Sequence, residues 1–138
     1  MSTVTLKLTN GVLRTSGFAA QAIATTANHT GDVIDNAANL DPEMTLEALY
    51  QYATAPTAAK TVVVHLLKSV DGTNYEEVSS KNQIAAFSPA ADTDAHRIVL
   101  ASGRALQPFR FKLYVENTDT AQTITLTLNC YTHGQKAE

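Results

Sequence analysis

Internal disulfides are excluded at the outset, because Cys130 is the only cysteine in 138 residues. A lone thiol fits a reducing compartment. Tryptophan is absent, which removes the largest side chain for building an exposed stacking platform. Charged residues make up only 17% of the chain, and the net charge is -3. The Lys and Arg residues are scattered, so no basic stripe is available to neutralise phosphates, and nucleic acid is not expected as a partner. Arg104, Arg110 and Lys112 come nearest to a cluster. Arg110 and Lys112 share one face of an expected strand and read as a solvated face beside Glu116. No run approaches the roughly 20 apolar residues that span a bilayer, so no membrane partner is expected. The segment from Met1 to Lys7 lacks the apolar stretch of a secretion signal. The expectation is a soluble protein made in a cytoplasm, where the glycosylation-like triplet Asn28-His29-Thr30 is a coincidence of composition.

What remains is apolar alternation. The length suits a single domain over residues 1–138, and a chain of this size needs no disulfide or metal staple. In Thr123 to Tyr131, Ile124, Leu126, Leu128 and Cys130 face one way, while Thr123, Thr125, Thr127 and Asn129 face the other. That period of two is a half-buried strand. The preceding segment repeats it, with Phe109, Phe111, Leu113 and Val115 inward and Arg110, Lys112, Tyr114 and Glu116 outward. Asn117-Thr118-Asp119-Thr120 lies between them as a turn cluster, and the two strands read as a long hairpin. Thr61 to Lys68 is apolar on both faces, as in a central strand covered on both sides. It runs into Asp71-Gly72, a pair that supplies positive φ for a turn.

Met44, Leu46, Ala48, Tyr50 and Tyr52 share a face of a further strand. Helix formers in Glu43 to Tyr50 compete for this stretch, but the alternation continues to Tyr52 and favours the strand. Gln83–Phe87 and His96–Leu100 are short strands separated by Ser88 to Asp92. Val4, Leu6 and Leu8 alternate near the start. About eight strands at this spacing predict an all-β, antiparallel, jelly-roll-like sandwich. Residues 10–42 stand apart, being rich in Ala, Thr and Asn, with Asp32 to Asp35 as a strand at most. They read as an extended arm or long loop that orders against a neighbouring subunit. Asn28, His29 and Asp32 within it, with Tyr75 and Tyr114 further on, are the candidate interface residues.

No catalytic, metal or cofactor motif is present. His29, His65, His96 and His133 fall in separate segments without zinc-ligand spacing. His65 reads as a hydrogen-bonded core or groove residue. Asp92, Asp94 and His96 would share a strand face, but calcium wants more oxygen ligands than this run supplies. Cys130 occupies an inward strand position and reads as a buried hydrophobe. There is no nucleophile elbow, phosphate loop or dinucleotide fingerprint. The reading is a non-enzyme that needs no cofactor.

Leu66-Leu67-Lys68-Ser69-Val70-Asp71-Gly72-Thr73-Asn74-Tyr75-Glu76-Glu77 resembles a strand-and-turn signature of small structural proteins from tailed bacteriophages. The stretch from Ile98 to Asn117 is similar to the same group, with Leu106-Gln107-Pro108 ahead of Phe111-Lys112-Leu113-Tyr114-Val115-Glu116-Asn117. Ser69 to Tyr75 also resembles the turn of discoidin-like, galactose-binding-type sandwiches. The absence of Trp, paired cysteines and a secretion signal weighs against that extracellular family. The phage resemblance implies a virion protein assembled in the host cytoplasm. Its expected partners are the major capsid protein or other virion proteins, and it is expected to be a homo-oligomer. A capsid decoration (cement) protein is the first expectation. A neck or tail accessory or tube protein, and a glycan-binding adsorption module, are the alternatives.

Overall fold

A computed structural model describes residues 6–8, 11–56 and 60–137. Val4 of the expected first strand, and Asn10 at the start of the expected arm, lie outside the described residues. The strands, in chain order, are β1 (Leu6–Leu8), β2 (Val12–Arg14), β3 (Gln21–Ile23), β4 (Asn28–Thr30), β5 (Ile34–Asp35), β6 (Glu43–Tyr52), β7 (Val62–Ser69), β8 (Gln83–Phe87), β9 (His96–Ala105), β10 (Arg110–Asn117), β11 (Ile124–His133) and β12 (Gln135–Ala137). A one-turn helix, α1 (Asn36–Asn39), and a single 3-10 turn at Ser80–Asn82 interrupt them. Glu43–Tyr52 is therefore strand and not helix. Every second side chain of it is buried, and a period of two outweighs helix propensity when one face has a core to meet.

Ten strands form two antiparallel sheets. The first has the order β2-β11-β6-β9, with β3 also on β11. The second has the order β4-β10-β7-β8, with β5 also on β10. Early strands pair with late ones throughout: β1 with β12, β2 and β3 with β11, β4 and β5 with β10, β6 with β9, β7 with β8. The chain is one long hairpin whose tip is the β7–β8 connection. Its successive rungs fall alternately in the two sheets, and the β11–β6 and β10–β7 ladders close the wrap. This is jelly-roll order. The strands expected from the sequence correspond to β1 and to β5 through β11, while β2, β3, β4 and β12 are not expected from it.

The hairpin expected of the two strongest strands is corrected. β10 lies in the second sheet and β11 in the first. Each carries one buried face, and two such faces stabilise most by opposing each other across a core, which puts the strands in different sheets. The inner rows are Met44, Leu46, Ala48, Tyr50 and Tyr52 of β6; Val62, Val64 and Leu66 of β7; Phe111, Leu113 and Val115 of β10; and Ile124, Leu126, Leu128 and Cys130 of β11. Burying one such side chain contributes about 1.5–3 kcal/mol. Phe109, expected among them, precedes β10 and is only half-buried.

The segment expected as a free arm or long loop is extended but docked on its own domain. β2 and β3 hydrogen-bond to β11, and β4 and β5 to β10. Phe18 enters the core, and the Ser16 hydroxyl donates to the Leu128 carbonyl at 2.6 Å. Strands of two or three residues are too short to display alternation, so nothing in the local sequence announces them.

Buried asparagines join the chain where the long hairpin crosses between sheets. Asn117 Nδ2 donates to the carbonyls of Ile23, Ala24 and Gln122, tying the β3–β4 crossing to the β10–β11 crossing. Asn36 does the same at the next crossing. Its Nδ2 donates to the carbonyls of Asp41 and Gln107, and its Oδ1 accepts from the Asp41 amide. A turn whose backbone groups leave the ladder needs such partners, since a buried unpaired carbonyl is costly.

Candidate functional site

The outer face of the second sheet carries the polar row that the sequence marked on the strand Arg110–Asn117. Alternation in β10 turns Arg110, Lys112, Tyr114 and Glu116 to this side, as expected from the sequence. The ladders set Ser69, Leu67, His65 and Val63 of β7 beside them. On the other flank Thr30 lies opposite Tyr114, Asn28 opposite Glu116 and Asp35 opposite Arg110. The Arg110 Nε donates to Asp35 Oδ2 at 3.2 Å.

The β7–β8 connection folds back over this face. Asp71 organises it by accepting from the amides of Thr73 and Asn74, both at 2.8 Å, and from the Ser69 hydroxyl at 3.1 Å. The two amides, with the Asn74 and Ser69 side chains, hold the Asp71 carboxyl well below the usual carboxylate range. Gly72 has φ +78°, and a Cβ there would collide with the Arg110 guanidinium. The positive φ restricts the position to glycine, and a side chain there would also displace the exposed Arg110 guanidinium. Beyond it, the Lys112 ammonium sits 4.4 Å from the Tyr75 ring centroid, a cation–π contact.

His65 is buried beneath this layer. Its Nδ1 lies 2.9 Å from Asn82 Oδ1, which also accepts from the Ser79 amide, while Asn82 Nδ2 donates to the Glu77 carbonyl. The Asn82 amide is thereby oriented with its oxygen toward the imidazole. With an amide oxygen facing it, His65 Nδ1 is the donor of this bond. The ring meets Tyr114 edge-on at 5.9 Å. Burial, and then the Glu116 carboxylate, raise the Tyr114 phenol above its ordinary value. His65 is the hydrogen-bonded residue that the sequence led us to expect.

The five candidate interface residues divide. Asn28, Tyr75 and Tyr114 come together on this outer face. His29 turns the other way: its ring meets Phe18 edge-on at 4.9 Å, and its Nε2 lies 3.2 Å from the Gly17 carbonyl. Asp32 lies beyond β4, where its amide donates to the Ser16 carbonyl. It lines a separate cavity of about 450 Å³ with Arg14 and Phe18. Arg110 and Lys112 belong to the face as the outward row that the sequence read as solvated, and Asn82 is the member that the sequence did not single out. Outward alternation marked Arg110 and Lys112. Nothing local marked Asn82, whose role depends on the connection folding back.

Elsewhere, Asp92 Oδ1 lies 2.7 Å from His96 Nε2 and accepts from the Asp94 amide at 3.0 Å. The carboxylate acts as a turn former paired with an imidazole. Among the described residues, no three His, Cys, Asp or Glu side chains converge to hold a metal ion. Burial pushes the Cys130 thiol up to about 12, so the nucleophilic thiolate is suppressed at neutral pH. The outer face presents a cation seated on a ring, a phenol and a carboxylate on paired strands. No protein-family model matches the chain, and no curated protein matches it.

Proposed function

We propose that this chain is a non-enzymatic structural protein of a tailed-phage virion. Specifically, we read it as a capsid decoration protein that binds across major-capsid-protein subunits as a homo-oligomer. The supporting observation is that the two segments resembling phage structural proteins pack as one unit. The turn from Ser69 to Tyr75 lies on the strand Arg110–Asn117, with Gly72 against Arg110 and Tyr75 under Lys112. Residues distant in sequence are thus parts of a single surface, and its side chains suit protein contact.

The mechanism would be burial of that surface across a subunit boundary. A stable interface takes about 800 Å² from each partner, and the chain exposes 7604 Å², so it has room for several contacts. Binding only the assembled state stabilises that state by mass action. A glycan-binding module is less well supported, because the Tyr75 ring is engaged by Lys112 and Tyr114 is edge-packed on His65.

The test is to add purified protein to shells lacking it and to heat them. Rupture is expected at a higher temperature, with the protein bound to the head. Immunogold label on the neck or tail, or no binding and no shift, would overturn the decoration reading.

A further inference from the structure

Inward positions of a sandwich are ordinarily apolar, and at one end of this molecule they are not. β7 points Val62, Val64 and Leu66 into the core, and the same alternation then sets Lys68 beside inward-facing Phe111. In the other sheet, β9 places Arg104 opposite buried Met44. Between them is a cavity of about 230 Å³ whose apolar walls include Leu66, Leu106 and Phe111. Its charged walls are Lys68, Lys81 and Arg104 against one carboxylate, Glu76.

That carboxylate is engaged, since it accepts from the Lys68 amide at 2.9 Å, and Lys68 Nζ donates to Gln107 Oε1 at 3.0 Å. The side chains of Lys81 and Arg104 have no hydrogen-bond or ion-pair partner among the described residues. Arg14 makes the contrast. It stands in the inward register opposite Cys130, and its guanidinium is satisfied by Asp41 and Thr132. In a chain with an excess of carboxylates, two exposed cations without partners at a cavity whose walls are part apolar and part polar make a locally positive site.

We propose that this cavity binds an apolar carboxylate, with a ring-sized hydrocarbon group seated between the sheets and its carboxylate held by Arg104 and Lys81. An apolar cavity of about 150 Å³ holds benzene, so a ring with a short acidic arm fits. The same chemistry is available from a free small acid or from the terminal carboxylate of a partner chain ending in an aromatic residue. The inference does not depend on the virion reading.

The test uses the full chain, with phenylpropionate added and backbone amide NMR shifts followed. Saturable shifts are expected around the cavity, weakened by salt. A Lys81→Gln/Arg104→Gln double variant changes only exposed side chains, and its unchanged melting temperature would show that folding is intact. Its affinity is expected to fall at least tenfold, because the carboxylate loses both charged partners and one charge-assisted hydrogen bond alone is worth about that factor. Phenylpropionamide, which lacks the charge, should lose a similar factor. A peptide ending in free Phe that binds more tightly at the same residues assigns the site to a partner's terminus; equal or weaker binding assigns it to a free acid. The proposal is overturned if neither probe gives saturable shifts, or if the double variant and the amide bind as well as the parent pair.

Discussion

The four interior strands, β6, β7, β10 and β11, run for eight to ten residues each and have a ladder on both sides. β2 to β5 run for two or three residues and have a ladder on one side only. The two groups are held by different forces. The long strands bury whole inner rows, so their stability is mostly apolar area removed from water. The short ones are held by what lies between them: Phe18 in the core, Ser16 on Leu128, and Asn117 and Asn36 at the crossings. A strand of three residues at a sheet edge cannot offset its own ordering entropy by ladder bonds alone, and point anchors supply the rest.

The largest expected effect breaks the long strands. Leu113→Ala removes a fully buried side chain from β10 and should cost roughly 3–5 kcal/mol in urea unfolding. The whole domain should lose this stability as one unit. A loss under about 1 kcal/mol would remove apolar burial as the main force in the interior strands.

Next come the anchors. Asn117→Ala leaves the carbonyls of Ile23, Ala24 and Gln122 without this donor, at about 2–3 kcal/mol. Hydrogen exchange should accelerate in residues 21–30 more than in β6. Uniform acceleration would show that the short strands are no separate layer of stability. Asn36→Ala should repeat this at the opposite crossing. Ser16→Ala is smaller, at about 1–2 kcal/mol, because it removes one buried hydroxyl bonded to the Leu128 carbonyl and the Phe18 amide. Protection should fall in residues 16–23 and stay unchanged in β7.

Acid sharpens the comparison at the hairpin tip. The Asp71 carboxyl is held below its unfolded value by amide donors. Its contribution is therefore present above the unfolded pKa of about 3.9. It fades as pH falls through that value toward the folded one. Asp71→Asn should flatten this part of the acid limb and leave exchange in residues 11–35 untouched. An unchanged acid limb would remove Asp71 from the account.

The smallest effect is expected at Tyr52. Burial, and then Asp119, push its phenol up to about 12. Its hydroxyl is buried without a hydrogen-bond partner among the described residues. Tyr52→Phe should leave stability unchanged or raise it by up to about 1 kcal/mol. A clear loss would mean that the hydroxyl has a role in holding the β6 row.

The sequence alone determined the all-β class, the inner rows of β6, β10 and β11, the two-sided burial of β7, the outward Arg110-Lys112-Tyr114-Glu116 row and the glycine turn after Asp71. Each of these is local. Alternation over eight residues and a positive-φ requirement are both readable along the chain, because a strand with one buried face must repeat every second residue. Which strands pair was decided only by the tertiary structure. Phe111 and Leu126 carry the same inward signal whether their strands lie side by side or across a core, so the expected hairpin and the observed sandwich look alike in sequence. Only closure of the long hairpin gave β2 to β5 their partners. The same closure set Asn28 beside Glu116, laid Tyr75 on Lys112, and turned Lys68 and Arg104 toward one cavity. Those contacts join residues far apart in the chain, and their energies exist only once the two sheets have met.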